Sequence, residues 1–480
     1  MKIPFCLVIL PCLIGMIGSA TAQPADKPNI VLILADDLGY ADTGFTGSKE
    51  IRTPHLDRLA ASGVIFTQGY ANHPYCAPSR AGLLAGRYQQ RFGFEANPHH
   101  DPANPYLGIG PEETLFPERL RKAGYVTGCI GKWHLGAGPE FHPNRRGFDY
   151  FYGFIEGGHD YFRIDMSRPD DAYLAPLARN DQPASFDGYL TDALSRDAVE
   201  FIRTNKDQPF FLFLSYNAPH SPLQAPKEDI ELYKNIADPK RRVYAAMVHA
   251  MDRGIGEVID ALESNELRKG TMVFFLSDNG GPIGMPENKY WWNGSSNGPL
   301  REGKAFLYEG GIRVPFLASW PDRIPAGKSF DFPVISLDIA RTAVEHAGAD
   351  AQSDRPLEGV DLVPFVRGDK TDPPHEGVFF RDSNGKRFAV IRSDGRKLVQ
   401  NHPGGKIELF DLSADLDESE DLFSKDGETA QALRSLYDDW NASNVPARFL
   451  NSPLYRKLLQ EFYVDTIPED ARAAGFGPEK

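Results

Sequence analysis

Two acidic clusters are the residues whose types and positions point first to chemistry. Asp36-Asp37 follows directly on the apolar run Asn29 to Ala35, and Asp278-Asn279-Gly280-Gly281 follows on the run Met272 to Ser277. In open α/β sheets ligands bind at the carboxyl ends of strands, so the two clusters converge if both runs are strands of one sheet. Asp36, Asp37 and Asp278 with the amide oxygen of Asn279 form a hard-oxygen set suited to Ca²⁺ or Mg²⁺, with no soft donor to favour zinc. Either cluster alone reads as a helix or turn cap. Together they favour a bound divalent cation. A third element is Cys76-Ala-Pro-Ser-Arg80, followed by Ala81-Gly-Leu-Leu-Ala-Gly86. Pro78 suits a first helical turn, and a group at the amino end of that helix meets backbone N–H donors and the positive end of the dipole. A reactive thiol is one reading of Cys76; a small buried cysteine beside a helix start is the other.

The elements that must position these residues alternate between strand and helix. Strand signals lie at Asn29 to Ala35, Tyr125 to Ile130, Phe210 to Tyr216, Met272 to Ser277 and Val314 to Trp320. Helical signals lie at Pro54 to Gly63, Thr114 to Ala123, Leu190 to Thr204 and Arg242 to Leu262, the last with Val243, Met247, Met251, Ile255, Val258 and Leu262 on one face. Such alternation predicts an α/β fold whose mostly parallel central sheet carries helices on both faces. After about residue 370 the texture changes. Short strands at Gly377 to Arg381, Arg387 to Arg392, Arg396 to Gln400 and Ile407 to Leu412 are separated by Asn-Gly, Asp-Gly and Gly-Gly turns, and a helix follows near Glu428 to Trp440. That pattern predicts a small antiparallel α+β unit. The expected organisation is a leader over 1–22, a catalytic domain over 27–371 and a small C-terminal domain over 372–480.

The 480 residues carry a formal charge of −14, with 66 acidic and 52 basic side chains. An acidic surface excludes diffuse capture of nucleic acid or of an anionic membrane, so an anionic ligand requires a compact basic pocket. Met1-Lys2, the apolar stretch Ile3 to Ile17 and the small residues Ala20-Thr21-Ala22 read as an export signal, with a retained anchor as the alternative. The protein is therefore expected to be periplasmic or secreted, without a membrane anchor. Of the four cysteines, Cys6 and Cys12 leave with the leader; Cys76 and Cys129 remain, neither in a CxxC pair, so a zinc or thioredoxin-like site is not expected.

The Cys76-Ala-Pro-Ser-Arg80 motif resembles the modification signature of the type I sulfatases, formylglycine-dependent and arylsulfatase-like members of the alkaline phosphatase superfamily. Further blocks match in the same order: Asn29 to Gly39, Gly131-Lys-Trp-His-Leu-Gly136, Ala218-Pro-His-Ser-Pro222, Ser277-Asp-Asn-Gly280, and Gly303-Lys304 through Glu309-Gly-Gly-Ile-Arg-Val-Pro315. Glu408-Leu-Phe-Asp-Leu412 is similar to a segment of the family's small C-terminal domain. The resemblance implies an alkaline-phosphatase-like fold, Ca²⁺ in preference to Mg²⁺, and conversion of Cys76 to formylglycine by a formylglycine-generating enzyme. It implies Asp36, Asp37, Cys76, Asp278 and Asn279 as the metal set. A hydrated aldehyde at position 76 offers one hydroxyl to attack sulfur and a second through which sulfate leaves, which a serine lacks. Asp278 is then the base for the attacking hydroxyl. Arg80 and Lys132 hold the diol and offset the carboxylates, Lys304 and His220 clamp the sulfate and protonate the leaving alcohol, and His134 takes the second proton. The chain departs from the family pattern at Ala85, where Thr or Ser is usual, and at Gly157-Gly158-His159-Asp160, where some relatives bring a serine to the sulfate.

The expected substrate is a sulfated carbohydrate. His159, Trp291 and Trp292 are the expected sugar-contacting residues, since the Tyr290-Trp291-Trp292 cluster lies near Lys304 in sequence; an aromatic cluster is as often simple packing. Two other functions remain open at this stage: a phosphoester or phosphonate monoester hydrolase, and a catalytically idle protein that binds sulfated glycans.

Overall fold

The computed structural model describes residues 27–162, 176–283, 292–351 and 355–450; the expected leader, Trp291 and the end of the chain lie outside these. A ten-stranded sheet forms the larger body. Its order is Lys328–Phe330, Val64–Phe66, Phe316–Ser319, Thr271–Ser277, Asn29–Ala35, Phe210–Ser215, Val126–Lys132, Tyr150–Phe154, Ala178–Arg179 and Gln182–Pro183. The five strands from Thr271–Ser277 to Tyr150–Phe154 are mutually parallel, and the edges turn antiparallel. Asn29–Ala35 is central and buried along its whole length. Its side chains alternate as a strand requires. Val31, Ile33 and Ala35 pack on one face against Leu56, Leu190, Leu194, Met247 and Met251, from helices Pro54–Ala61, Leu190–Thr204 and Pro239–Ser264. Ile30, Leu32 and Leu34 pack on the other against Ala81, Leu84, Phe116, Leu120 and Ile339, from helices Cys76–Ala85, Phe116–Lys122 and Leu337–His346. A sheet buried on both faces explains why these strands read as unbroken apolar runs.

Most boundaries match the expected ones, and the differences have local causes. The Arg242 to Leu262 helix extends to Pro239–Ser264 because Asp238 caps it, accepting from the N–H of Arg241 at 2.9 Å. The Val314 to Trp320 strand shortens to Phe316–Ser319 and runs antiparallel to Thr271–Ser277. Tyr150–Phe154 and Val64–Phe66 are additional strands.

A separate four-stranded antiparallel sheet follows in simple sequential order: Gly377–Asp382, Arg387–Arg392, Arg396–Gln400 and Glu408–Asp411. The helix Gly427–Asn441 covers it through Ala430, Leu433, Tyr437 and Trp440. The same apolar cluster takes in Tyr70, Leu307, Tyr308 and Ile312 of the larger body. The second sheet therefore packs directly against the segment that follows Lys304.

Candidate active site

Register alone brings the acidic clusters together. Asn29–Ala35 and Thr271–Ser277 pair in parallel with Ala35 opposite Ser277, so Asp36 and Asp278 emerge side by side. The Asp278 N–H donates to Ala35 O at 3.0 Å, and the Asp37 N–H to Asp278 Oδ1 at 3.3 Å. Asp37 has φ 63, a left-handed conformation that costs a side-chain-bearing residue roughly 1–2 kcal/mol. The turn after Asp278 packs so closely that a Cβ on Gly280 would lie 1.8 Å from Gly310 O, which accounts for glycine there. It also docks the Asp278 loop on the segment bearing Lys304, whose N–H donates to Gly281 O at 3.1 Å.

Each carboxylate meets a cation. Lys132, at the end of its strand, places Nζ 2.5 Å from Asp36 Oδ2, with both side chains fully buried. Arg80, equally buried, holds Asp278 Oδ2 through Nε at 2.9 Å and Nη2 at 2.8 Å. Its Nη1 donates to Lys132 O at 3.1 Å and Ser215 Oγ at 2.5 Å. Lys304 Nζ lies 2.8 and 2.9 Å from the two Asp37 oxygens and donates to Cys76 Sγ at 3.2 Å. Burial would raise Asp37, but Lys304 and then His220 outweigh it and hold the carboxyl at about 2. Burial, then the Asp36 charge, push Asp278 up to about 6 in spite of Arg80 and Lys132.

Cys76 is the first residue of the helix Cys76–Ala85, so Pro78 falls in its first turn. The Ala77 N–H is satisfied by Asn97 Oδ1 at 3.0 Å. The thiol lies 3.5 Å from Asp36 Oδ1 and 4.0 Å from Asp37 Oδ1, and burial pushes it well above its ordinary pKa in spite of Lys132 and Lys304. A thiol raised in this way argues against the reading of Cys76 as an activated thiolate. Cys129 is buried and free, so no disulfide joins the two. Ala85 ends the helix in full burial, ahead of Gly86 at φ 64.

Two histidines complete the cluster. His220, between the cis bonds Ala218-Pro219 and Ser221-Pro222, pairs Nδ1 with Ser221 O at 2.7 Å and turns Nε2 to Asp37 Oδ2 at 3.5 Å. Burial depresses it to about 3 against the pull of Asp37. His134 is buried at φ 60, and burial, Lys132 and Arg80 keep it neutral. Both of its ring nitrogens lack a hydrogen-bond partner among the described residues.

The structure thus assembles Asp36, Asp37, Cys76, Arg80, Lys132, His220, Asp278, Asn279 and Lys304, with His134 in their electrostatic field. Single donor atoms of Asp36, Asp37, Cys76 and His220 lie within 4.8 Å of one another. Asn279 Nδ2 donates to Asp37 Oδ1 at 2.8 Å while its Oδ1 has no partner among the described residues. A half-turn of that amide puts the oxygen where a cation on Asp37 would find it. Oxygen donors, buried acids and the ammonium of Lys304 already seated on Asp37 all fit a hard divalent ion at this point.

The expected sugar contacts are not drawn in to the same degree. His159 is fully buried between Phe154 and Phe186, its Nδ1 2.6 Å from Asp160 O. Its ring packs against these two aromatic side chains. Next to it, the Tyr161 hydroxyl donates to Asn217 O and His220 O at 2.7 and 2.8 Å, which ties this segment to the His220 loop. Trp292 is part-buried, its Nε1 donating to Ser295 O, and Asn293 reaches Pro219 O at 3.4 Å. Ser215, Asn97 and Arg387 are additional site-forming residues; only Ser215, at the end of an apolar run, carried any local signal.

A family model described as Sulfatase matches residues 28–349, and one described as N-sulphoglucosamine sulphohydrolase, C-terminal, matches 302–442. The chain is 35% identical over 376 residues to N-acetylgalactosamine-6-sulfatase of Canis lupus familiaris, covering 74% of this chain and 69% of that one. It is 33% identical over 454 residues to steryl-sulfatase of Homo sapiens, covering 79% and 75% respectively. The crystal structure of Ps i-CgsB in complex with k-i-k-neocarrahexaose superposes with a TM-score of 0.82 at 36% identity, covering 92% of this chain and 99% of that one. Matching family model, relatives and fold agree with the charge-balanced cluster at the strand ends: the chain belongs to the sulfatase family and is a sulfuric ester hydrolase.

Proposed function

We propose that the chain hydrolyses sulfate monoesters of carbohydrates, with Cys76 converted to formylglycine and a divalent cation, Ca²⁺ before Mg²⁺, held on Asp36, Asp37, Asp278 and Asn279. The observation that carries this reading is the meeting of Cys76 Sγ with both Asp36 and Lys304, 3.5 and 3.2 Å away, inside a ring of buried acids and cations that is open only at the half-buried Lys304. The carbohydrate part is supported by a relative named for a sulfated amino sugar and by a solved neighbour in complex with an oligosaccharide. When bound, the cation supplies Lewis acidity toward a sulfate oxygen. The formylglycine hydrate supplies paired hydroxyls, one for attack and one for release.

The chain's own residues then have distinct tasks. Asp278 is the base for the attacking hydroxyl, and Arg80, donating from Nε to its Oδ2 at 2.9 Å, fixes its orientation. Lys132 balances Asp36. Lys304 meets the sulfate with its ammonium. His220 is neutral while the pocket holds no anion; an anionic substrate at Nε2 opposes the burial that depresses it, so His220 takes up from solvent, as the substrate binds, the proton it needs as general acid. His134, neutral, accepts the proton whose loss frees sulfate. Trp292 and the His220 loop form the sugar side of the pocket, beside the His159 segment. The catalytic unit spans 27–371 and the small unit 372–480; export through 1–22 places the enzyme in the periplasm or outside the cell. Among the described residues no helix is long and apolar enough to cross a membrane.

The test compares turnover of an aryl sulfate with that of the matching aryl phosphate, then of a panel of sulfated mono- and oligosaccharides. The aryl sulfate and at least one sulfated sugar should be hydrolysed. Preference for the phosphate would transfer the assignment to phosphoester chemistry, and no turnover of any sulfated sugar would remove the carbohydrate.

A further inference from the structure

We propose that Arg387, supplied by the second sheet, is a positioning residue for Lys304, so that the small C-terminal unit is a working part of the active site. The inference rests on the reading of Lys304 as the group that meets the sulfate. Lys304 lies in an irregular segment, so beyond Asp37 and Cys76 at its tip, what places its ammonium is the backbone beside it. Ala305 sits at φ 78, a conformation a side-chain-bearing residue keeps only when its surroundings hold it there. Those surroundings are two hydrogen bonds. The Ala305 N–H donates to Pro74 O at 3.0 Å, and the Ala305 carbonyl accepts from Arg387 Nη1 at 2.6 Å. Pro74 precedes Cys76 by two residues, so the two peptide units that flank Ala305 are held between the Cys76 arm and the second sheet.

Arg387 also grips the Cys76 arm itself. A side-chain hydrogen bond joins it to Tyr75, and its Nη2 is paired with Asp382, its cross-strand partner at the start of the hairpin. The Arg387 side chain is 13% exposed and that of Asp382 3%. A guanidinium whose donors go to a carboxylate, a carbonyl and a phenol has little left for a substrate anion. It acts as a strut between the segments bearing Cys76 and Lys304, anchored on the second sheet. The planar fork that spans three acceptors is one a lysine cannot reproduce. A second connection runs alongside: Lys397 of the sheet, fully buried, holds Glu309 five residues beyond Lys304.

Loss of the strut frees Ala305, and a displacement of the order of 1 Å at Lys304 costs roughly 10²-fold in rate. The experiment uses the full chain and measures aryl sulfate kcat/KM for wild type, Arg387→Ala, Lys304→Ala and the double variant, with Arg387→Lys and melting temperatures alongside. Binding of inorganic sulfate by calorimetry gives a readout independent of turnover. Arg387→Ala should lower kcat/KM roughly 10–10²-fold and weaken sulfate binding, yet cost less than about 3-fold in the Lys304→Ala background. Arg387→Lys should recover part of the loss and carries the same comparison if the alanine variant does not fold. An equal loss in both backgrounds would make Arg387 a general structural residue and overturn the proposal. So would a lowered melting temperature with unchanged kinetics, or a loss confined to polysulfated substrates. Unchanged turnover in Lys304→Ala would overturn the reading of Lys304 and the strut with it; a dependence on Lys304 but not on Arg387 overturns the strut alone.

Discussion

Replacing Arg80 with methionine keeps a long unbranched side chain and removes the charge from the most enclosed position in the site. Arg80 and Asp278 are both fully buried, and two donors of the guanidinium converge on one carboxylate oxygen at 2.8 and 2.9 Å. Removing one partner of a buried pair costs about 3–5 kcal/mol, because the other charge stays behind uncompensated. The loss at Lys132 O adds little, since that carbonyl also accepts from Ser215 Oγ at 2.7 Å. At ~2.1 cal/mol/K per residue, a 480-residue chain has an unfolding entropy of about 1 kcal/mol/K, so Arg80→Met should melt ~3–5 °C lower. The sign of the pH dependence follows from Asp278. Burial and Asp36 hold its folded pKa at about 6, above the unfolded ~3.9, so its ionisation costs stability as pH rises through that interval. Without Arg80 the folded pKa climbs further and the cost grows. The melting deficit, measured by calorimetry with chelator present, should therefore be largest at neutral pH and shrink on acidification below about 6. Arg80→Lys should lose ~1–3 °C, with turnover falling about as far as in Arg80→Met, because the fork and not the charge orients Asp278. A neutral-pH deficit under about 1 °C in Arg80→Met, or one independent of pH, would refute the electrostatic picture of the site.

Other perturbations test separate parts. His220→Asn should slow hydrolysis of alkyl sulfates by roughly 10²–10³-fold and of nitrophenyl sulfate by less; equal losses would remove the general-acid role. Lys397→Met takes the ammonium from Glu309 and Glu418, 2.9 and 2.8 Å away, and leaves Arg313, 3.4 Å from Glu309, as the remaining counter-charge. Burial already raises Glu418 to about 7 in spite of Lys397, so the variant should melt ~3–5 °C lower at alkaline pH and recover below about 7. Burial would lower His375, but Asp338, 2.9 Å from Nε2, holds it above its ordinary 6.5. Its contribution is thus complete below about 6.5 and fades as pH rises through the folded value, so the melting gap between wild type and His375→Gln should close in that direction.

What the sequence made legible follows from how local each signal is. The helix Leu190–Thr204 and the strands Asn29–Ala35, Arg387–Arg392 and Arg396–Gln400 lie at the residues expected of them, because an unbroken period or a Gly-containing turn marks both ends. Val64–Phe66, with only three residues, and the parallel Tyr150–Phe154 are stabilised by neighbours far along the chain, and no local pattern announces them. The direction of Phe316–Ser319 is equally invisible, since burial on both faces looks the same in either orientation. The site divides in the same way. Asp36, Asp37, Asp278 and Asn279 stand out because they follow apolar strands directly, whereas Arg387 reaches Ala305 across 82 positions with no spacing to betray it.

Position 76 decides the chemistry. As a thiol it is buried, pushed up in pKa, and unpaired with Cys129. A thiol has no second hydroxyl through which to release a sulfated intermediate. The direct measurement is mass analysis of the peptide containing Cys76, made on the same preparations whose aryl sulfate turnover is assayed, across expression hosts that differ in their capacity to generate formylglycine. Turnover should rise in proportion to the converted fraction and vanish where only cysteine is found. Full turnover in a preparation whose Cys76 peptide carries only the unmodified thiol would contradict the mechanism.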